Sequence, residues 1–325
     1  MSTTHAVRVH QHGGPEVLRF EEVELPPVGP GQVLIRQTAV GLNYIDTYHR
    51  GGLYPVPLPA TLGSEAAGVV EAVGADVRGL AEGDRVAYVK GPGAYCERRV
   101  VDAALVLKLP AAISEEQAAA MMLKGMTVEY LLRRTYPVRA GETILWHAAA
   151  GGVGLIACQW ASHLGATVIG TVGSEDKAEL ARAHGCAHTI LYREEDFAAR
   201  VRELTGGAGV PVVYDSVGKD TFAASLDCLR PRGMMVSFGN ASGAVPPVAP
   251  GLLAQKGSLY LTRPSLFHYT ATREELEACA GALFDVVGSG AVAVDVHHRY
   301  PLSQAEQAHR DLEARATTGS VVLLP

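Results

Sequence analysis

Up to about residue 110 the apolar positions form short runs and alternations of strand length, cut by His12-Gly-Gly-Pro15, Pro26-Pro27, Gly29-Pro-Gly31 and Gly74-Ala-Asp76. Residues 33–40, 67–73 and 85–89 are the best strand candidates, the last two flanking a turn at Glu82-Gly-Asp84. This region reads as all-β. Ser114 then stands three residues before Gln117 and ahead of Ala-Ala-Ala-Met-Met-Leu, a capping box opening an alanine-rich helix. That helix is expected to run to about Arg134 and to join two domains, with Gly125-Met-Thr127 near the cleft.

From residue 143 the pattern changes to apolar runs alternating with helical spacing. Strands are expected at Thr143-Ile-Leu-Trp146, 167–172, 189–191, 210–214 and 233–238, with helices starting after the first turn, at Glu175, at Glu195 and at Thr221. Repeated strand–helix units imply a parallel sheet. Residues 257–262 read as a further edge strand carrying Leu259 and Leu261 on one face, the expected contact of a homodimer. A helix over 273–287, Tyr300-Pro-Leu302, a helix from Ser303 and a closing strand at 321–324 are expected to return to the first domain.

Between the first strand and first helix of this series lies His147-Ala-Ala-Ala-Gly-Gly-Val-Gly154. It reads as Ala149-x-Gly151-x-x-Gly154, the dinucleotide-binding G-x-G-x-x-G with alanine in the first place. Gly151 would let backbone approach a pyrophosphate, Gly154 would let helix pack on strand, and the helix start at Gly152 and Val153 would turn N–H groups to the anion. An ordinary glycine-rich turn is the alternative, weighed down by the strand–helix units around it. In such sheets ligands meet the carboxyl ends of the strands, which makes Gly173, Ser174, Tyr192, Asp215, Ser216, Phe238, Gly239 and Asn240 ligand-facing by topology. An enzyme using NAD needs a carboxylate at the end of the second strand; here Gly173-Ser174 stand there, with Lys177 following. That points to NADPH. Glu175 reads as first-turn helix charge.

A length of 325 residues allows two domains, and 48% hydrophobic with 19% charged residues describes a globular chain. The net charge of −6 argues against a nucleic-acid partner. No Asp, Glu, Lys or Arg occurs between Thr143 and Ser174, yet the segment resolves into strand, turn, helix and strand, so no membrane span is expected. The start Met-Ser-Thr-Thr-His lacks a signal-peptide pattern, and the expected location is the cytoplasm. Cys96, Cys158, Cys186, Cys228 and Cys279 form no C-x-x-C pair, and the histidines no metal pattern.

Taken together, Gly13-Gly-Pro-Glu16, Asn43-Tyr-Ile-Asp46, Gly63-Ser-Glu65, the turn ending at Gly154, Tyr214-Asp-Ser-Val-Gly218, Ser237-Phe-Gly239 and Arg315-Ala-Thr-Thr-Gly319 resemble the zinc-independent quinone oxidoreductase (zeta-crystallin-like) branch of the medium-chain dehydrogenase/reductase superfamily. The resemblance covers essentially the whole chain. It implies an α/β fold: a Rossmann doubly wound parallel sheet plus a GroES-like β-rich domain, with NADPH in the cleft and a homodimer. The expected domains are 1–125, GroES-like and catalytic, completed by 268–325, and 126–267, the Rossmann NADPH-binding domain. Zinc-dependent relatives have cysteine at the place of Asn43 and histidine at the place of Ser64, and a four-cysteine loop where this chain has only Cys96. The expected reaction is therefore metal-free hydride transfer to a quinone or another electron-poor small molecule.

The resemblance puts Asn43 beside the nicotinamide and Tyr44 and Tyr48 near the acceptor; Tyr44 is either a donor to the quinone oxygen or a packed tyrosine. Asp46 is read as structural support. It further implies that Ser174, Lys177 and Tyr192 hold the 2′-phosphate. Thr127 and Tyr130 share a helix face that is expected to meet the cofactor; Thr127 is a catalytic candidate, and Tyr130 reads equally as a cofactor contact or as core. Arg263, Ser265 and Arg315 are candidates for the ribose or diphosphate. The competing functions are an enone or enoyl-thioester reductase and a non-catalytic NADPH-binding protein.

Overall fold

The structure, a computed structural model, describes residues 2–325, so that Met1 of the expected first domain lies outside the described residues. The chain divides into two units. The first comprises Met1–Met126, Thr272–Gly288 and Val294–Pro325, and the second Thr127–Ala271 with Ser289–Ala293; the division falls inside the helix Glu115–Tyr130.

In the first unit a seven-stranded sheet is built on the long strand Gln32–Leu42, which pairs antiparallel with Glu65–Val73, with Arg98–Asp102 and with the closing strand Ser320–Leu324. Val33, Ile35, Tyr88 and Val321 lie in its buried core. The C-terminal segment is thus a structural part of the N-terminal unit.

One expectation for this region is corrected. It is not all-β, because Tyr44–Gly51 is an α-helix. Asn43 is extended, and Asp46, three residues on, accepts a hydrogen bond from the Asn43 backbone N–H at 2.9 Å. That is the return half of a capping box, whose Asn-x-x-Asp signal is visible in the sequence. Helix Glu115–Tyr130 opens with the expected box: Gln117 N donates to Ser114 Oγ at 3.2 Å and Ser114 N donates to Gln117 Oε1 at 3.1 Å. It continues as a wider π turn over Leu131–Thr135. A Cβ on Gly125 would stand 2.4 Å from a methyl of Leu283, so the helix Arg273–Gly288 packs flush on it there.

The second unit is a six-stranded, wholly parallel sheet in the order His188–Leu191, Thr167–Val172, Thr143–Trp146, Val210–Asp215, Leu229–Ser237, Tyr260–Thr262. This is the doubly wound order with its switch point beside Thr143–Trp146. The uncharged segment resolves into the strand Thr143–Trp146, the helix Gly152–His163 and the strand Thr167–Val172. Among the described residues no helix is long and apolar enough to cross a membrane.

Two boundaries differ from expectation for local reasons. The helix expected from Glu195 begins at Phe197, because Asp196 caps it by accepting from the backbone of Ala198 and Ala199 at 3.0 and 3.1 Å. The edge strand begins at Tyr260 rather than Gly257, since Gly257 and Ser258 have φ of +114° and +56°, which no strand admits. Nor do its leucines share a face. Leu259 belongs to the core at 6% exposure, whereas Leu261 and Tyr260 are 38% and 59% exposed.

Candidate functional site

The glycine turn separates the roles of its two glycines. A Cβ on Gly154 would stand 2.4 Å from the carbonyl oxygen of Ala148 and 2.6 Å from that of Ala149, so Gly154 is required by packing. A Cβ on Gly151 would meet only Ala148 O, at 3.3 Å. The protein's own packing scarcely needs glycine there. The first intrahelical bond runs from Leu155 N to Gly151 O at 2.9 Å, so the N–H groups of Gly152, Val153 and Gly154 precede it. The strained residue of the turn is Ala148, at φ +56°, one place before the alanine that fills the first glycine position.

Beside this turn, the register of Val172 opposite Leu191 sets Gly173 next to Tyr192. A Cβ on Gly173 would lie 3.4 Å from the Tyr192 hydroxyl and 3.7 Å from Arg193 Nε, and the Arg193 guanidinium lies over the Tyr192 ring at 6.0 Å. Ser174 is the N-cap of the helix Glu175–Ala183 without using its side chain to cap it, and Lys177 follows in that helix's first turn. Glu175, directly after Ser174, is turned onto Arg182 at 2.6 Å. The Tyr192 hydroxyl and the Arg193 guanidinium thus stand at the end of the second strand, beside Gly173 and Ser174. Sequence reasoning missed Arg193, although a cation directly after Tyr192 was a visible signal.

Further along the same edge, Asp215 closes its turn by accepting from the backbone of Val217 and Gly218 and from Thr221 Oγ1 at 2.7, 3.0 and 2.8 Å. Gly239 packs against Ser216, whose carbonyl oxygen a Cβ there would meet at 2.3 Å, and the Phe238 ring is 5.5 Å from Trp146. Arg263 donates to the carbonyl of Gly239 at 2.9 Å and to Ser237 Oγ at 3.2 Å, binding the edge strand to this loop. Ser265 is the N-cap position of the short helix Leu266–Tyr269. Tyr130 is 2% exposed and stacks on Tyr269 at 4.5 Å, while Thr127 is half-buried.

In the first unit, Asn43 Nδ2 donates to Glu65 Oε1 at 2.7 Å and Ser64 Oγ donates to Asp46 Oδ1 at 3.1 Å. Tyr44 donates its hydroxyl proton to the carbonyl of Leu312 at 3.0 Å, and the Tyr48 ring meets Tyr54 edge-on at 5.3 Å. Arg315 lies just past the helix Ala305–Glu313 with φ +60°, a conformation that favours glycine.

Behind Asn43 runs a polar chain, buried from Asp46 through Tyr95 and His309 to Arg50, that residue spacing offers no means of assembling. Burial pushes the Asp46 carboxyl up to about 7 against the hydrogen bonds from Asn43, Tyr95 and Ser64, which pull it down. Burial, then the Arg50 charge, hold the His309 imidazole down at about 3. Arg50 can only donate, so His309 Nδ1, 2.9 Å away, accepts; Nε2 therefore carries the proton and faces the Tyr95 hydroxyl at 3.0 Å. Tyr95 in turn donates to Asp46 Oδ2 at 3.0 Å, and Arg50 ends on Glu313 at 2.6 Å. Among the described residues no group of three or more His, Cys, Asp or Glu comes together in a form that could hold a metal ion.

The residues of the second unit fit NADPH: a glycine at 151 that its own packing does not require, helix N–H groups preceding the first intrahelical bond, and the Tyr192 hydroxyl and Arg193 guanidinium beside Gly173. Residues 29–111 match the family model described as alcohol dehydrogenase GroES-like domain, and residues 152–285 that described as zinc-binding dehydrogenase. The chain is 57% identical to a quinone oxidoreductase of Pseudomonas aeruginosa over 97% of both chains, and 49% identical to a 2-haloacrylate reductase of a Burkholderia species over 98% of both. The crystal structure of Escherichia coli quinone oxidoreductase complexed with NADPH superposes with a TM-score of 0.95 at 54% identity, covering 100% of each chain.

Proposed function

The chain belongs to the zeta-crystallin-like quinone oxidoreductase branch of the medium-chain dehydrogenase/reductase superfamily, and from that membership we propose NADPH-dependent reduction of quinones without a metal ion. The observation that carries the cofactor choice is the Tyr192 hydroxyl and the Arg193 guanidinium beside Gly173, with Ser174 next in the chain, Lys177 in the first turn of the following helix, and Glu175 paired with Arg182. When bound, NADPH supplies the hydride. The chain's own residues bind and orient: Gly151, Gly152 and Val153 take the pyrophosphate, and Ser216, Phe238, Gly239, Arg263 and Ser265 border the strand ends. Tyr130 contributes from behind, through its stack on Tyr269.

In the first unit we assign Asn43 to the nicotinamide half of the cofactor, Tyr48 to the acceptor and Arg315 to the diphosphate, and in the second unit Thr127 to the acceptor; the cofactor's place between the domains is part of the same proposal. Tyr44 is assigned to holding its helix to the Leu312 carbonyl, because a hydroxyl has one proton to donate. Metal-free action is supported by the engagement of Asn43 with Glu65 and of Ser64 with Asp46, neither pair offering a zinc ligand set. A homodimer through the exposed edge strand Tyr260–Thr262 and a cytoplasmic location complete the reading.

The test is oxidation of NADPH by 1,4-benzoquinone after treatment with a chelator, with NADH in parallel. Rapid, NADPH-selective turnover supports the proposal; loss of turnover on chelation, or equal use of NADH, overturns the corresponding half. The resemblance to a 2-haloacrylate reductase favours a second reading, reduction of a conjugated carbon–carbon double bond. Turnover of 2-chloroacrylate in place of benzoquinone would establish it. Binding of NADPH with turnover of neither acceptor would leave a non-catalytic binding protein.

A further inference from the structure

We propose that Glu65 and Lys124 are positioning residues that fix which end of the Asn43 amide is offered to the cofactor. The inference deepens the proposed function and rests on its assignment of Asn43 to the nicotinamide half.

Glu65 has no exposed side-chain surface, and the side chain of Lys124 is 7% exposed. Both carboxylate oxygens of Glu65 are acceptors in use. Oε2 accepts from the backbone N–H of Leu123 at 2.6 Å, and Oε1 from Lys124 Nζ at 3.3 Å and Asn43 Nδ2 at 2.7 Å. Lys124 is itself held by the Leu42 carbonyl at 3.2 Å. The carboxylate cannot slide aside, because a Cβ on Gly41 would already stand 2.3 Å from Oε1, so the backbone is packed against it.

A primary amide is nearly symmetric in shape and opposite in polarity at its two ends. A carboxylate paired with an ammonium accepts and does not donate, so it selects the nitrogen of Asn43, whose second hydrogen points to Gly41 O at 3.5 Å. The end turned away from Glu65 is Oδ1, an acceptor with two lone pairs, of which the capping contact from the Asp46 backbone N–H leaves one for a ligand. Asn43 therefore takes a donor from the nicotinamide half, a carboxamide N–H or a ribose hydroxyl, and does not donate to the acceptor's oxyanion. Lys124 is the one charged residue in the apolar run from Ala118 to Met126, and its role is to keep that choice of polarity.

The paired replacement Glu65→Gln with Lys124→Met tests this while removing both buried charges together. With the Gln oxygen held by Leu123 N–H, its amide nitrogen faces Asn43, which must turn its own oxygen inward and offer nitrogen outward. Wild type, the paired variant, Asn43→Ala and the combination of all three replacements are compared by titration with NADPH and with adenosine 2′,5′-bisphosphate, a fragment that reaches only the residues around Gly173. The expected result is an NADPH dissociation constant weakened about tenfold, as for loss of one good hydrogen bond with a mismatched donor, in the paired variant and in Asn43→Ala alike. Fragment affinity is unchanged in both, which also reports a folded nucleotide unit.

Adding Asn43→Ala to the paired variant should weaken NADPH no further, because residues that act through one amide are not additive. Unchanged NADPH affinity in the paired variant, or full additivity with Asn43→Ala, overturns the inference. If the paired variant does not fold, Lys124→Met alone is titrated under the same criteria. Quinone turnover by the wild-type protein judges the proposed function separately, since these titrations need no acceptor.

Discussion

Asp46 and His309 share a single hydroxyl: Tyr95 donates to Asp46 Oδ2 at 3.0 Å and faces His309 Nε2 at 3.0 Å. The two ends of this bridge titrate in opposite senses. Asp46 is raised from 3.8 to about 7, so the folded chain keeps a proton that the unfolded chain releases above 3.8, and stability is lost as pH rises through that window. His309 is lowered from 6.5 to about 3, so the unfolded chain takes up a proton that the folded chain refuses, and stability is lost as pH falls below 6.5. Each slope is about 1.4 kcal/mol per pH unit at full effect, and between 3.8 and 6.5 they largely cancel. Relative to wild type, Asp46→Asn should gain stability as pH rises across this window, and His309→Gln should gain it as pH falls. Urea unfolding midpoints at a series of pH values read both slopes; parallel lines for all three proteins would remove the opposed titration.

The two glycines of the turn should separate stability from binding. Gly154→Ala puts a methyl into the carbonyls of Ala148 and Ala149, and should cost about 2 kcal/mol or more in stability. Gly151→Ala, at φ −79° with 3.3 Å to its nearest neighbour, should leave the thermal midpoint within about 2 °C of wild type. It should nonetheless weaken NADPH roughly tenfold, because its methyl occupies the anion's approach. Calorimetry and cofactor titration on the two variants check the division.

Lys177 and Arg193 are expected to act on the 2′-phosphate and nothing else. Replacing both with Ala should raise the KM for NADPH roughly tenfold to a hundredfold, the scale of lost charge-assisted hydrogen bonds, and leave the KM for NADH unchanged. Equal effects on both cofactors would show that the cluster around Gly173 does not read the phosphate.

Arg315 holds a left-handed conformation, φ +60°, where a helix ordinarily ends in glycine. Arg315→Gly should therefore stabilise the fold by up to about 1 kcal/mol, while weakening NADPH if the guanidinium reaches the diphosphate. A stabilised variant with unchanged affinity would confine Arg315 to a structural role.

The strands at Thr167–Val172 and Arg85–Val89 were legible to the residue, as was the box at Ser114 and Gln117, because periodicity and capping are written in neighbouring positions. The helix Tyr44–Gly51 was missed although its Asn43…Asp46 signal was present, since eight residues amid strands carry little periodic evidence. Leu259 was misread for another reason. A period of two was extended through Gly257 and Ser258, whose positive φ turns the chain before the strand starts.

Of the candidate site, the sequence by itself determined the half that is local: a glycine turn between strand and helix, a second strand ending in Gly173-Ser174 instead of an acid, and Lys177 one turn on. Turn chemistry and strand-end topology depend on adjacent residues, so they need no partner from afar. Only the tertiary structure decided what stands behind Asn43 and Asp46. Residues 43, 46, 64, 65, 95, 124 and 309 meet where the C-terminal strand joins the sheet of the N-terminal unit, and hydrogen-bond partnership and desolvation act through space, with no trace in residue spacing.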